Sequence, residues 1–237
     1  MDNSPKRADF RCLGEHVEIL MYEMIDSDYG IGAQGFAEDL RDAGDVKEIS
    51  LRINSPGGDV FEGLTIYNTL IRHPARVSVD IDGMALSIAS VIALSGDVVR
   101  MAENAMFMIH DPWSRFEGSS DEFRDQADLM DKIKNSLVDT YVSRTDLSPG
   151  RVSQMMSDET WMSASEALNE GFVHEETSSM KIAACSGRKS NNSPSWFNGA
   201  PSWAKHRMSS DNVIETSPTN RLIKSKQKLA LTLASMD

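Results

Sequence analysis

The sequence predicts an α/β fold in which short, mainly parallel strands alternate with helices. Two observations lead to this prediction. Segments with alternating apolar residues take turns with segments of helical apolar spacing between residues 16 and 110, and turn-forming residues separate them. A repeated strand–helix–strand order implies parallel strands joined by right-handed crossovers. The 237 residues are enough for one well-buried α/β domain with additional segments.

The first elements can be assigned from the apolar pattern. Residues 16–24 and 46–54 are predicted strands, and the second of these shows strict apolar alternation. Residues 31–43 and 60–71 are predicted helices, because their apolar residues recur at the spacing of one helical face. Glycine and proline lie between these segments and break them.

The central elements are shorter and more apolar. Residues 76–81 are a predicted strand, and residues 98–101 and 106–109 are two further short strands. Residues 84–94 are small and apolar, and we expect a helix there that is buried on all sides.

The elements after residue 110 are predicted to be mainly helical. Residues 116–142 form a long, highly charged helix with sparse apolar positions, expected to project from the body or to pack against another subunit. A short helix follows at residues 148–156. Residues 163–171 form a helix with a capping box between Ser163 and Glu166.

The net charge of −12 is unevenly distributed and bears on the partners of the chain. Residues 181–237 hold nine Lys or Arg and three Asp or Glu, a charge of +6, so the rest of the chain carries −18. An acidic body argues against nucleic-acid binding. No apolar run approaches the ~20 residues of a membrane-spanning helix, and the first residues lack the apolar stretch of a signal peptide. We therefore expect neither a nucleic-acid nor a membrane partner.

The two cysteines indicate the cellular compartment. Cys12 and Cys185 are far apart, in segments without predicted structure. This usage is typical of a reducing compartment and offers no metal-ligand spacing. The predicted location is the cytoplasm of the cell that makes the protein, and no metal site is predicted.

The chain divides into three predicted parts. Residues 1–15 form an N-terminal segment, residues 16–177 form the folded domain, and residues 178–237 form a polar, basic tail. Because the tail is rich in Ser, Asn, Pro and Gly, we expect it to be disordered. Two roles stay open for its charge: a solvated tail, or a tail that binds an acidic surface.

Four groups of residues, in fixed order, suggest a serine hydrolase. The Gly57-Gly58 turn follows a strand, and Ser87 lies at the head of the predicted buried helix. His110 ends an apolar strand, and an acidic pair follows at residues 158–159. These are the parts of an acyl-enzyme mechanism: an oxyanion donor, a nucleophile, a base and an acid that orients the base.

Each part also has a plainer interpretation. A Pro-Gly-Gly sequence is common in ordinary turns, and a serine at a helix start often serves as a cap. Ser90, one turn after Ser87, is a competing nucleophile, and the N–H of Ile88 is the natural second oxyanion donor. His110 could bond only to the backbone, and Asp158 and Glu159 could be solvated loop acids.

The ordered set is nevertheless specific and resembles the Clp proteolytic-subunit family of serine peptidases over residues 16–175. The resemblance is strongest to the phage and prophage branch, the head maturation proteases. It is carried by these sequences: Asn54-Ser55-Pro56-Gly57-Gly58-Asp59-Val60-Phe61, Gly83-Met84-Ala85-Leu86-Ser87, Asn104-Ala105-Met106, Met108-Ile109-His110-Asp111-Pro112-Trp113, Trp161-Met162-Ser163-Ala164 and Gly171-Phe172-Val173.

The resemblance implies a crotonase-like fold of stacked βαβ units, with the helix at 116–142 as a projecting handle. It implies Ser87 as nucleophile, His110 as general base and the N–H groups of Gly58 and Ile88 as oxyanion donors. Glu159 takes the place where the family usually carries aspartate, and Asp158 is the runner-up for that role. A second departure is Leu86, where the family often has alanine.

The predicted function is an ATP-independent serine endopeptidase that processes phage capsid or scaffold proteins during prohead maturation. It would form a homo-oligomeric ring in the host cytoplasm or inside the prohead, act on protein substrates and need no cofactor. Two alternatives stay open. One is a general Clp-like peptidase that works with an ATP-dependent unfoldase, and the other is a non-catalytic ring scaffold of the same fold.

Overall fold

The computed structural model describes residues 6–178 of the chain. Within them, strands and helices follow in this order: β1 (Asp9–Leu13), β2 (His16–Met21), α1 (Ala33–Asp42), β3 (Glu48–Ser55), α2 (Val60–Ile71), β4 (Arg76–Leu86), α3 (Ile88–Ala93), β5 (Val98–Ala102), β6 (Met106–Ile109), α4 (Ser120–Val142), α5 (Pro149–Ser157), β7 (Thr160–Ser163), α6 (Ala164–Asn169) and β8 (Glu175–Thr177).

The strands form one mixed sheet with the order β1-β2-β3-β4-β5-β8, and β6 and β7 extend it from β4. Strands β2, β3, β4, β5 and β8 run parallel to one another, as does β6 beside β4. The pairs β1–β2 and β6–β7 are antiparallel. The predicted α/β fold with parallel, helix-connected strands is therefore confirmed.

One edge of strand β4 pairs with β3, and its other edge pairs with two different strands. Residues 78–81 pair with β5, whereas residues 84–86 pair with β6. The sheet therefore forks along β4. The last residue of β4 lies beside β6, close to the end of that strand. The fork decides where the functional residues meet.

The core lies on the apolar face of the sheet, under the helices. Ile49, Leu51 and Ile53 of β3 are at most 1% exposed, while the residues between them are exposed or partly exposed. This is the predicted alternation of a strand with one buried face. Phe36 and Leu40 of α1 are buried against the same cluster, so the amphipathic face predicted for this helix is the one it buries.

The predicted helix at residues 84–94 is wrong over its first part. Residues 84–86 belong to β4, because they pair with Met106, Phe107 and Met108 of β6. Ser87 then adopts a positive φ of 55°, which ends the strand, and α3 begins only at Ile88. All six residues of α3 are buried, as the apolar composition predicts.

The long helix α4 begins four residues later than predicted. Ser119 closes a capping box with Glu122, and this fixes the start of the helix. The first half of α4 is exposed, with Phe123 at 52% and Leu129 at 45% exposure. Buried residues appear only near its C-terminal end: Leu137, Val138 and Tyr141.

Three strands have no counterpart in the sequence prediction: β1, β7 and β8. Strand β1 lies within the predicted N-terminal segment and pairs with β2. The predicted tail lies outside the described residues except for Ser178. Within residues 6–178, no helix combines the length and hydrophobicity needed to cross a membrane.

Phe172 provides a test of this packing, because it is fully buried and contacts two other rings. Its ring centroid lies 5.3 Å from that of Phe107 and 5.9 Å from that of Tyr141. We expect Phe172→Ala to lower the free energy of unfolding by about 3–5 kcal/mol, through lost burial and a cavity. Urea unfolding at fixed protein concentration measures this change.

Leu168→Ala is the matched control, because Leu168 is 38% exposed in the neighbouring helix α6. Its cost should be about 1 kcal/mol or less. Equal losses in the two variants would show that Phe172 is not a core anchor.

Candidate active site

Ser87 occupies a strained turn between β4 and α3. Its φ of 55° and ψ of −129° lie outside the regions that non-glycine residues usually adopt. The N–H of Ser87 donates to the carbonyl oxygen of Met108 at 2.9 Å, which ties the turn to β6. A sharp strand-to-helix turn of this kind presents the serine hydroxyl at the edge of the sheet.

His110 lies beside Ser87 because the strands before them are paired. Leu86, the last residue of β4, is in register with Met108 of β6. Two residues later the chain reaches His110, whose Nε2 lies 2.8 Å from the Oγ of Ser87. At this distance the hydroxyl can donate to a neutral imidazole, which is the arrangement of a nucleophile with its general base.

The backbone favours Glu159 over Asp158 as the acid that faces His110. Thr160 of β7 is in antiparallel register with Ile109, so Glu159 stands opposite His110 when the register is continued by one residue. Asp158 instead caps the C-terminus of α5, is exposed and accepts a hydrogen bond from Gln154 at 2.9 Å. Glu159 is half-buried and has a positive φ of 50°.

The Gly57-Gly58 turn packs directly against Ser87. Gly57 has a φ of 86°, and a Cβ on it would lie 2.7 Å from the Cβ of Ser87. A Cβ on Gly58, whose φ is 152°, would lie 2.0 Å from the carbonyl oxygen of Ile25. Both positions therefore require glycine, for conformation and for space.

This turn and the start of α3 each supply one backbone donor near the serine. Among the described residues, the N–H groups of Gly58 and Ile88 donate no hydrogen bond to the protein. The N–H of Ile88 is free because it lies in the first turn of α3. Two unused donors beside a serine hydroxyl are the requirement for stabilising an oxyanion.

Sequence analysis did not find Ser55, which holds this turn in place. Ser55 is fully buried, donates to the carbonyl oxygen of Glu23 at 2.7 Å and accepts from the N–H of Gly57 at 3.2 Å. Its signal was the serine that precedes Pro-Gly-Gly at the end of a strand. A polar residue at the buried end of an apolar strand needs partners, and here both are backbone groups.

Ser90, the competing nucleophile, is buried and engaged elsewhere. Its hydroxyl donates to the carbonyl oxygen of Ser87 at 2.5 Å and lies 2.7 Å from the hydroxyl of Tyr141. Burial raises the pKa of Tyr141, so its hydroxyl stays protonated and can donate to Ser90. The geometry gives Ser90 the role of a link between α3 and α4.

An apolar crevice lies next to Ser87 and His110. It is lined by Val60, Ile88, Val91, Pro112, Leu137 and Tyr141. Helix α4 contributes the last two residues, one turn apart, so the long helix forms part of the site as well as projecting from it. Leu86 is buried and does not line this crevice, so its bulk is accommodated in the core.

The chain is similar to a known protein family and to several named proteins. The sequence model of the protein family described as Clp protease matches residues 19–178. A proteolytic subunit of ATP-dependent Clp protease from Deinococcus radiodurans is 39% identical over 129 residues, which cover 54% of this chain and 63% of the relative. The chain thus spans a little under two thirds of that relative.

Plant relatives with the same name match over a longer stretch. The protein from Chloranthus spicatus is 35% identical over 163 residues, which cover 67% of this chain and 81% of the relative. The protein from Platanus occidentalis is 34% identical over the same length, with the same two shares. The span matched by the family model, residues 19–178, contains the Gly57-Gly58 turn, Ser87, His110 and Glu159. The chain therefore belongs to the Clp protease family of serine-type peptidases.

Proposed function

We propose that the protein is a serine endopeptidase that cleaves polypeptides through an acyl-enzyme intermediate. The observation that carries this proposal is the 2.8 Å contact between Ser87 Oγ and His110 Nε2, made at a strained strand-to-helix turn. Helix capping gives no account of this geometry, because Ser87 makes no side-chain cap to α3.

The proposed reaction uses the same groups in both of its half-reactions. His110 accepts the proton of Ser87 as the hydroxyl oxygen attacks the peptide carbonyl, and the N–H groups of Gly58 and Ile88 donate to the resulting oxyanion. His110 then returns the proton to the leaving amine. His110 next takes a proton from a water molecule as that water attacks the acyl-enzyme, and it returns the proton to the departing oxygen of Ser87, while Glu159 orients the imidazole. No metal or nucleotide is required by these steps.

The crevice suggests the kind of substrate side chain that is accepted. Its walls are apolar apart from the Tyr141 hydroxyl, which Ser90 engages. We propose that apolar substrate atoms next to the scissile bond pack against its mouth, since the apolar area that they cover would then contribute to binding.

We further propose that the chain acts as a proteolytic subunit in a homo-oligomeric ring served by an ATP-dependent unfoldase. The relatives carry the name ATP-dependent Clp protease proteolytic subunit. The exposed half of α4, with Phe123 and Leu129, supports self-association, because such surfaces usually complete their burial against another chain. These comparisons favour this role over the phage-specific one.

A second candidate is capsid or scaffold processing without ATP, as a head maturation protease. It is supported by the sequence His110-Asp111-Pro112-Trp113, which resembles the phage branch of the family. In that role the protein would cut folded or assembling proteins at few sites and would need no unfoldase.

One experiment separates these two roles. The protein is incubated with an unfolded polypeptide and with a stably folded, tagged protein, with and without a Clp-type unfoldase and ATP, while light scattering reports ring formation. Degradation of the folded protein only with unfoldase and ATP would support the first role. Unfoldase-independent cleavage of a coat or scaffold protein at few sites would support the second. A monomer with full activity would contradict the proposed ring.

Ser87→Ala tests the nucleophile. We expect peptide hydrolysis to fall on the order of 10³-fold or more, because the attacking oxygen is removed. Labelling by a fluorophosphonate, followed by intact-mass analysis, should disappear in the same variant. Ser90→Ala is the matched control and should keep the label. A labelled Ser87→Ala protein would move the nucleophile elsewhere.

Glu159→Gln tests the acid. The amide keeps the size of the side chain but removes its charge, so we expect kcat to fall strongly while the fold is retained. Asp158→Asn, one residue earlier and exposed, should change kcat by less than about twofold. The opposite result would assign the acidic role to Asp158.

A further inference from the structure

A polar cluster of Lys134, Asp111 and Ser157 connects three separate segments near the site. The Nζ of Lys134 lies 3.0 Å from Asp111 Oδ2 and 2.8 Å from Ser157 Oγ, to which it donates. The hydroxyl of Ser157 in turn donates to Asp111 Oδ2 at 3.2 Å. Each of the three side chains therefore contacts the other two.

Each member of the cluster comes from a segment that matters for the proposed reaction. Asp111 directly follows His110, and Ser157 ends α5 two residues before Glu159. The N–H of Asp111 also donates to the carbonyl oxygen of Met156 at 3.0 Å. The cluster thus joins the segment that carries the proposed base to the segment that carries the proposed acid.

The charge balance of the cluster depends on Lys134. The Oδ1 atom of Asp111 is buried and has no hydrogen-bond partner among the described residues, although the side chain as a whole is 40% exposed. The carboxylate is therefore held through Oδ2 alone. Lys134 is its only cation within the described residues, and the lysine side chain is 21% exposed. Removing one partner of a partly buried pair leaves the other charge poorly compensated.

Lys134 is itself fixed by the helix that carries it. Leu137 and Tyr141, three and seven residues further along α4, lie on the same helical face and line the apolar crevice. That face is therefore packed against the body of the protein. The ammonium group is presented from a rigid element, which is the condition for holding a loop in one place.

We infer that Lys134 is a positioning residue for the reaction proposed above. It acts through Asp111 and Ser157, and it holds the His110 and Glu159 segments in the arrangement that brings His110 to Ser87. It lies outside the lining of the crevice. The inference rests on the proposed peptidase function and adds to it a residue that the motif sequences do not contain.

Lys134→Met is the first test, because methionine keeps much of the length of the side chain and removes its charge. We expect kcat on a short peptide to fall about tenfold to a hundredfold, the effect of a small misplacement of reacting groups. KM should stay within about twofold, since the crevice is unchanged. Lys134→Arg should recover most of the lost kcat by restoring the cation.

Lys132→Met is the matched control, because Lys132 lies on the same helix, is exposed and makes no ion pair in the described part of the chain. It should leave both constants unchanged. Asp111→Asn should lower kcat like Lys134→Met. The double variant should be no slower than Lys134→Met alone, because both changes break the same contact.

The outcomes are distinct. A Lys134→Met protein that matches Lys132→Met in kcat overturns the inference, as does full additivity in the double variant. Thermal melting and light scattering check each variant. If Lys134→Met is unfolded or loses its assembly, the test passes to Asp111→Asn. An Asp111→Asn protein with the kcat of the wild type would then overturn the inference. Wild-type protein that neither hydrolyses peptides nor takes up the phosphonate label would instead overturn the proposed function itself.

Discussion

The structure depends on the way in which two strands, β5 and β6, share one edge of β4. Its first half pairs with β5 and its last three residues pair with β6. Since paired parallel strands end at the same edge, the residues that follow β4 and β6 must meet there. The backbone bond from Ser87 to Met108 closes this junction. Strand pairing thus brings Ser87 and His110 to the same edge of the sheet.

Close backbone packing around this junction fixes the donors. Gly57 lies against Ser87 with no room for a side chain, and Gly58 lies equally close to Ile25. Gly63 in α2 approaches Ile88 so closely that a Cβ there would lie 2.2 Å from its Cγ1. Gly57 and Gly63 therefore determine how near the turn and α2 come to the start of α3, and Gly58 determines how near the turn comes to Ile25. Pre-set donors of this kind require no rearrangement when negative charge develops.

The apolar pattern predicted the parallel fold well because the spacing of apolar residues follows the buried face of each strand and helix. The bounds of α2 were predicted without error, and Ser87 and His110 could be proposed from their places relative to strands. The start of α3 was missed because small apolar residues suit a buried strand and a buried helix equally. Strand β7 is only four residues long and carries no alternation, so it gave no signal.

The remaining residues of the site could not be predicted because they are brought in by long-range packing. Leu137 and Tyr141 reach the crevice from a helix that looks largely solvated in sequence. Their apolar spacing marks the face that is covered, but it does not indicate which part of the protein covers it. The contact of Lys134 with Asp111 joins residues 23 positions apart. Such contacts depend on the angle at which α4 packs, which is set by tertiary structure.

The backbone at Ser87 also bears on natural selection. A non-glycine residue at this positive φ costs on the order of 1–3 kcal/mol, a sizeable part of the roughly 5–15 kcal/mol that stabilises a domain. Glycine would remove that cost. A lineage that kept the fold only for assembly would drift towards glycine here, whereas one that needs the hydroxyl would retain serine. The residue found at position 87 among natural variants therefore distinguishes an active enzyme from a protein that is kept only for assembly.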